Sequence, residues 1–256
     1  MKNVKTWKMT WEEVKDAVDQ NKGIIIPIGA TEQHGKHLPI CTDSLMAKEI
    51  TVEIAERNDM VVAQPIVYTC KSRPQTGGGM NFIGTIGLPG QVFIPMVAEV
   101  IKGYMRHGFK KILLLNHHME NNNLIYDAAW QATDGGERTD VKIGIFEMPF
   151  NGFSDELMQE MYQGDFAGWG YDHAAIYESA ALLYRRPDVV KWERAVDDRP
   201  EAMVWYDALP IPDEFSSKSG TLWKCTHATA EMGEKIWNEL IAQLDEAVKT
   251  EFPMQS

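Results

Sequence analysis

Cysteine is scarce in this chain of 256 residues, and the three cysteines, Cys41, Cys70 and Cys225, stand far apart. They form no CxxC pair, which argues against a disulfide scaffold and against a cysteine zinc site. Apolar runs of about 18 residues are also missing, and none follows the N-terminus as it would in a signal peptide. We therefore expect a cytoplasmic protein with no membrane partner.

Basic side chains are few as well, with 25 lysines and arginines against 37 aspartates and glutamates and a formal net charge of −12. A surface of this charge repels phosphate groups, which argues against nucleic acid or an anionic membrane as the partner. The hydrophobic fraction of 44% supports a substantial core. The composition is compatible with an enzyme that acts on a small molecule, without identifying one.

Short apolar runs typical of buried strands alternate with longer amphipathic segments typical of helices. The predicted strands are 23–28, 60–67, 110–116 and 141–146, and the predicted helices are 11–20, 43–57, 90–107, 121–133, 172–185 and 230–251. This order favours an α/β fold, a three-layer sandwich with a mainly parallel sheet covered by helices on both faces. No linker stands out, so we predict a single domain over 1–256 with a loop-rich segment at 186–222.

Polar clusters of the same form follow two of the predicted strands. Glu32 and His34 come after the first strand, and His118 and Glu120 come after the third. The i, i+2 spacing sends both side chains of a pair to one side of an extended segment, and Asp43 stands at a predicted helix start. Because ligands bind at the carboxyl ends of parallel strands, these two imidazoles and three carboxylates suit two divalent ions, zinc or manganese, with one carboxylate bridging.

Two other interpretations of these residues stay open on spacing alone. Each residue taken singly is more often a surface side chain or a cap, and Asp43 is a good helix N-cap. The chain would also fit a nucleotide- or partner-binding α/β protein in which the histidines and carboxylates are incidental. If two ions do bind, they would support hydrolysis without an organic cofactor.

A third region, 164–183, has glycines around Trp169 and then Asp172 and His173 at a predicted helix start, with Glu178 further in. His173 beside a bound substrate could pass a proton to a leaving amine. The alternative is that Asp172 caps the helix, His173 is exposed and Trp169 is simply packed.

The remaining features of the sequence carry less weight for the site. The segment 71–85 carries three consecutive glycines but matches no nucleotide-binding motif, so we predict an active-site or subunit-contact loop. His37 is a candidate for orienting a carboxylate, and Cys41 is predicted to be a small buried thiol rather than a ligand. No pattern singles out His107, His117 or His227.

Four stretches of the sequence resemble the creatininase family of metal-dependent amidohydrolases. They are "GATEQHGKHLPICTD" (29–43), "LLLNHHMEN" (113–121), "KSRPQTGGGMNFIGT" (71–85) and "FAGWGYDHAAIYES" (166–179). The resemblance implies an α/β fold, a site for two zinc or manganese ions, and a hexamer. It implies that one ion is held by Glu32, Asp43 and His118, and the other by His34, Asp43 and Glu120.

The same resemblance implies the reaction and its residues. A metal-bound hydroxide would attack the ring carbonyl of a small cyclic amide, creatinine being the first expectation and creatine the product. His173 and Glu120 would be catalytic, with His173 transferring the proton. Trp169 and Asp172 would line the substrate pocket, and Glu178 would support it.

The substrate-binding positions depart from the family's creatininase pattern. Met119 stands where that pattern has a tyrosine, Thr76 where it has a serine, and Gly170 where it has an aspartate. A tryptophan that closes over the substrate is missing from 147–153, where Phe150 or Phe153 could replace it. Because such groups set selectivity among amides, the alternative is the same chemistry on a different amide or formamide.

Overall fold

The computed structural model describes residues 3–77, 79–148 and 151–253. Its strands are β1 (Gly23–Ile28), β2 (Met60–Val62), β3 (Thr69–Cys70), β4 (Gly87–Leu88), β5 (Lys111–Asn116) and β6 (Lys142–Glu147). Four of them form a parallel sheet in the order β2-β1-β5-β6, and β3 and β4 form a separate parallel pair. The helices are α1 (Trp11–Asp19), α2 (Thr42–Arg57), α3 (Gly90–Arg106), α4 (Asn122–Ala132), α5 (Asp155–Tyr162), α6 (Ile176–Arg185) and α7 (Ala230–Glu251).

The two central strands are apolar along nearly their whole length because both faces of the sheet are covered. Side chains alternate between the faces, so Ile25 and Leu113 join the core formed with α2, α5, α6 and α7. Ile24 and Ile112 join the opposite core, formed with α1, α3 and α4. The predicted three-layer α/β sandwich with a mainly parallel sheet is confirmed.

Several predicted boundaries shift. The strand expected at 60–67 is regular only over Met60–Val62, and beyond it Ile66 makes a single bridge to Ile28. The helix expected from residue 172 begins at Ile176. The segment 186–222 carries only short 3-10 helices, which agrees with its predicted loop-rich character. Among the residues described, no helix combines the length and apolarity that crossing a membrane requires.

Candidate active site

The site forms where β1 and β5 end side by side. Ile28 pairs with Asn116, so the segments that follow the two strands leave the sheet at the same edge. Gly29 lets α2 approach this edge, since a Cβ there would collide with the backbone nitrogen of Ser44. The first turn of α2 is therefore packed directly on the end of β1, which brings Asp43 to both clusters.

Six buried side chains meet at this edge, and we call them the carboxylate–histidine cluster: Glu32, His34, Asp43, His117, His118 and Glu178. His34 Nε2 lies 3.3 Å from Asp43 Oδ1 and 3.4 Å from Glu178 Oε1. His118 Nδ1 lies 3.3 Å from both Glu32 Oε2 and Asp43 Oδ2. The two carboxylate oxygens of Asp43 thus face different histidines.

Asp43 is not the helix cap that its position predicted. Cys41 is the N-cap residue of α2, without a side-chain hydrogen bond, and Asp43 lies inside the first turn. Its carboxylate is only 2% exposed and faces the histidines instead of the free backbone N–H groups. The prediction that Cys41 is buried is also wrong, because the helix start leaves its thiol exposed.

Three buried atoms of the cluster have no hydrogen-bond partner: His34 Nε2, His118 Nε2 and Asp43 Oδ2. His34 Nδ1 lies 3.1 Å from the carbonyl oxygen of Glu32, an acceptor, which places the ring hydrogen on Nδ1. The Nε2 lone pair then points at carboxylate oxygens. A cation between them would satisfy all these groups, and a backbone carbonyl behind a histidine is typical of metal ligands. The residues therefore fit a divalent ion.

The ionisation of the cluster points the same way. Burial by itself lowers the pKa of His34, but the facing carboxylates of Glu178 and Asp43 raise it well above its usual value. The pKa of His118 behaves likewise, with Glu120 and Glu32 outweighing burial. Burial raises the pKa of Asp43, and the charge on His34 with the hydrogen bond from His117 brings it well below its usual value. The buried carboxylates are thus stabilised by positive charge beside them.

Glu120 takes a different place from the one expected. The structure brings Glu32, Asp43 and His118 together, with one donor atom of each within 4.8 Å of the others, as in the first predicted set. Glu120 lies beyond His118, with Oε2 at 3.5 Å from His118 Nε2. Within the described part of the chain no such three-donor group joins it to His34, which is grouped with His173 and Glu178.

Every residue of the cluster except His34 lines one side of a cavity of about 610 Å³, measured out to its open mouth. The opposite side, which we call the loop wall, consists of Thr76, Met119, Trp169 and Gly170. Asp172 and His173 also line the cavity, so all six predicted substrate-binding residues surround one space. Among the described residues no lysine or arginine lines it, whereas five carboxyl groups do, which again favours cations: Glu32, Asp43, Glu120, Asp172 and Glu178.

His173 and Asp172 precede α6 instead of starting it, so Asp172 is not a cap. The Nε2 atom of His173 lies 2.7 Å from the carbonyl oxygen of Gln33, and its ring centroid is 4.2 Å from that of His34. Burial, followed by the nearby Glu178, raises the pKa of Asp172 well above its usual value, and its carboxyl group bonds the Tyr162 hydroxyl. Trp169 lines the cavity and also packs on neighbouring rings, so it is both packed and accessible from the site.

The segment 71–85 contributes residues to the site, which agrees with one of its two predicted roles, that of an active-site loop. The hydroxyl of Thr76 bonds Glu120, and the hydroxyl of Ser72 bonds Glu32. Ser72 was not singled out in the sequence, although it stands in a stretch that was. Short hydroxyl side chains give no signal of their own because they are common in every loop.

Two further residues of the site, His117 and Tyr177, were not predicted from the sequence. His117 Nδ1 lies 3.4 Å from Asp43 Oδ1, and its Nε2 lies 2.8 Å from the Tyr177 hydroxyl. His117 was not singled out because its neighbour His118 already formed the i, i+2 pair with Glu120. In the sequence, Tyr177 cannot be told apart from the apolar residues of α6 that face the core.

Two other expectations fail. His37 orients no carboxylate of the site, since its Nε2 lies 2.8 Å from the Ser179 hydroxyl and its ring edge meets Trp192. Phe153 does not line the cavity; it packs behind Trp169, with ring centroids 5.7 Å apart. Met148 lines the cavity from that side instead. Phe150 lies outside the described residues.

A parallel α/β sheet with buried histidines and carboxylates at its carboxyl edge, under an open cavity, defines a metal-dependent hydrolase. The family model described as "Creatininase: Creatinine amidohydrolase" matches residues 7–248. This chain belongs to the creatininase family, whose members are metal-dependent amidohydrolases. The family resemblance seen in the sequence is thereby confirmed.

Individual relatives agree on the family and differ in substrate. Creatinine amidohydrolase of Pseudomonas putida is 30% identical over 98% of both chains. The 3-dehydro-scyllo-inosose hydrolase of Thermotoga maritima is 25% identical over 94% of this chain and 81% of its own. A mycofactocin precursor peptide peptidase of Mycolicibacterium smegmatis is 25% identical over 88% and 84%.

Solved structures match over the whole fold. A creatininase variant complexed with creatine superposes with a TM-score of 0.93 at 29% identity, covering 99% of this chain and all of that one. A creatininase variant of Zn–Zn type and a creatininase with Mn superpose with TM-scores of 0.91 and 0.90, at 28% and 29% identity and with the same coverage. Zinc and manganese are therefore the metals of two of these similar structures.

Proposed function

We propose that this protein hydrolyses a small cyclic amide with the help of two divalent ions, and that creatinine, opened to creatine, is the first substrate to test. The observation that carries the proposal is that the two carboxylate oxygens of Asp43 face different sets of residues. Oδ2 faces His118 beside Glu32, and Oδ1 faces His34 beside Glu178, as expected for a carboxylate shared by two ions. Glu32, Asp43 and His118 would hold the first ion.

The second ion would lie on the side of His34. Glu120 was expected there, but the arrangement of the side chains favours Glu178 as the nearer carboxylate, with Glu120 behind His118. Two bound ions would lower the pKa of a shared water and polarise the amide carbonyl. We propose zinc, manganese or one of each, since histidine and carboxylate donors suit both.

The remaining residues of the cavity would bind the substrate and move its protons. His173 lies beside His34 and lines the cavity, which supports a role in protonating the leaving nitrogen. Glu120, hydrogen-bonded by Thr76, is the second candidate for proton transfer. Asp172, whose pKa is raised by burial and by Glu178, offers polar contacts to the ring while Trp169 offers an apolar face.

The second candidate function keeps the metals and changes the substrate to another amide or formamide. It is favoured by the loop wall, where Met119 and Gly170 lack the hydrogen-bonding groups of the creatininase pattern. Gly170 leaves space, because a Cβ there would meet only the Thr76 methyl group, at 3.6 Å. The relatives named for an inosose and for a peptide precursor support a range of different substrates within the family.

The test is a panel of cyclic amides, formamides and short peptides given to enzyme reconstituted with Zn²⁺ or Mn²⁺. We expect ring opening of creatinine or a close analogue, abolished by a chelator and restored by either metal. Hydrolysis of a formamide or peptide alone would establish the second candidate. Absence of metal-dependent hydrolysis across the panel would contradict both.

Two further properties stay predictions: a hexameric assembly, which the family resemblance implies, and a cytoplasmic location, which the composition of the sequence led us to expect. The hexamer is tested by light scattering on the purified protein, where a mass near six times 29.0 kDa is expected. A monomer at micromolar concentration would contradict it.

A further inference from the structure

We propose that Tyr177 and His117 act together as positioning residues for Asp43. The Tyr177 hydroxyl fixes the hydrogen-bonding state of His117, and His117 in turn holds Oδ1 of Asp43. Oδ2 is thereby left directed at His118 and Glu32. This inference rests on the proposed metal site but not on the identity of the substrate.

The three side chains form a continuous chain of hydrogen bonds. The Tyr177 hydroxyl lies 2.8 Å from His117 Nε2, and His117 Nδ1 lies 3.4 Å from Asp43 Oδ1. All three residues are at most 5% exposed. Because water has almost no access to them, these contacts act on the orientation of the Asp43 carboxylate together with those from His34 and His118.

The direction of the hydrogen bonds follows from the groups themselves. A carboxylate can only accept, so Nδ1 of His117 carries the hydrogen that it donates to Asp43. The other ring nitrogen then has a free lone pair, and the Tyr177 hydroxyl donates to it. Without that hydroxyl, the opposite tautomer is no longer disfavoured, and it would turn a lone pair toward the carboxylate.

The rings are held in this arrangement by packing. Tyr177 is stacked on His117, with ring centroids 5.7 Å apart and planes 21° apart. Phe153 and Trp169 contact Tyr177 from the other side, at 5.7 and 6.3 Å between centroids. Through their contacts with each other and with Asp43, Tyr177 and His117 link the first turn of α6, the end of β5 and the first turn of α2.

A competing role for His117 is that of a direct metal ligand, because Asp43, His117 and Glu178 also present donor atoms within 4.8 Å of one another. The two roles differ in what His117 needs. A positioning residue needs an N–H directed at Asp43, which the side-chain amide of asparagine can supply from nearly the same place. A ligand needs the nitrogen lone pair, which that amide nitrogen lacks.

The test is a calorimetric titration of metal-depleted protein with Mn²⁺, comparing wild type with Tyr177→Phe. The matched control is Tyr171→Phe, which removes a hydroxyl bonded to the Val204 carbonyl outside the cavity. We expect Tyr177→Phe to weaken one of the two binding steps about 10- to 100-fold, as for other groups that orient metal ligands. The control should stay within about twofold of wild type.

Equal affinities for Tyr177→Phe and wild type in both steps would overturn the inference. His117→Asn and His117→Ala give a second measurement that does not depend on Tyr177. We expect His117→Asn to bind Mn²⁺ at least about tenfold more tightly than His117→Ala in the affected step. Equal binding by these two variants would overturn the positioning role. A wild type that binds fewer than two ions would instead contradict the proposed two-ion site.

Discussion

The two sides of the cavity are built in opposite ways. In the carboxylate–histidine cluster, Asp43 is 2% exposed and His34 is 1% exposed, and each side chain is fixed by the end of a strand or the start of a helix. In the loop wall, Met119 is 40% exposed and Trp169 stands in a short 3-10 helix after a glycine. The first side is buried and lies next to regular strands and helices, whereas the second is more accessible and carried by loops.

This contrast is compatible with a family whose relatives are named for different substrates. Buried ion-binding groups tolerate little change, because an unpaired buried charge is costly. Loop side chains that touch only substrate can change without disturbing the fold. Changes to the cluster should therefore abolish chemistry on every substrate, and changes to the loop wall should alter which substrate is used.

The largest effect is expected from Asp43→Asn, because this carboxylate faces both halves of the proposed metal site. Activity should fall more than about a hundredfold on every substrate, beyond the usual loss for a group that only orients a ligand. Elemental analysis should find at least one ion fewer per chain. The control is Asp127→Asn, the same change on the exposed face of α4. Normal metal content in Asp43→Asn would contradict a shared carboxylate.

The next largest effect is expected from His173→Gln, which tests whether proton transfer can be separated from metal binding. The rate of the chemical step should fall about 10²- to 10⁴-fold while both ions stay bound. Steady-state kinetics with elemental analysis measures the two properties on one preparation. His107→Gln, at the exposed end of α3, is the control. Loss of metal together with activity would assign His173 to the metal site.

How far the sequence predicted the site depends on the same contrast. The repeated i, i+2 pairs located four residues at two strand ends: Glu32, His34, His118 and Glu120. They could be found because residues two positions apart in an extended segment point to the same side. The spacing could not predict the partner of each donor, since the distance from Glu178 to His34 depends on how α6 packs. A single residue such as Tyr177 gives no pattern at all.

The fold was predicted well where burial dictates composition and less well elsewhere. The all-apolar β1 and β5 were found because both faces are covered. The start of α6 was missed because Ala174 has a left-handed backbone conformation, with φ of 51°, that interrupts an apparently continuous helical pattern. That turn places His173 before the helix, and alanine in this position gives no sequence signal for it.

A smaller effect is expected from Met119→Tyr, which restores the family's tyrosine to the loop wall. The ratio of kcat/KM for creatinine over a formamide should shift about tenfold toward creatinine, as one added hydrogen bond allows. Metal content should not change. Met203→Tyr is a matched control because Met203 is 39% exposed and lies outside the cavity. An unchanged ratio would remove Met119 from substrate selection.

The smallest effect on activity is expected from His37→Gln, which keeps a hydrogen-bonding group near Ser179. Burial, with a further contribution from His34, lowers the pKa of His37 to about 4. Between the unfolded pKa of about 6.5 and pH 4 the unfolded chain binds a proton that the folded chain does not, so stability falls as pH falls.

Glutamine removes this penalty, so the unfolding free energy of His37→Gln should fall less steeply than that of wild type from about pH 6.5 to pH 4. Urea unfolding of the metal-depleted proteins at several pH values measures the two slopes. At neutral pH the variant should retain near-normal kcat/KM. Parallel slopes would contradict a neutral buried His37.

The central claim is that the carboxylate–histidine cluster holds two divalent ions that the hydrolysis requires. The most direct measurement is the number of Zn²⁺ and Mn²⁺ ions per chain, followed together with activity as chelated protein is reloaded. We predict that activity returns only as occupancy rises to two ions per chain. Full activity at zero or one ion, or no bound ion after reloading, would contradict the account.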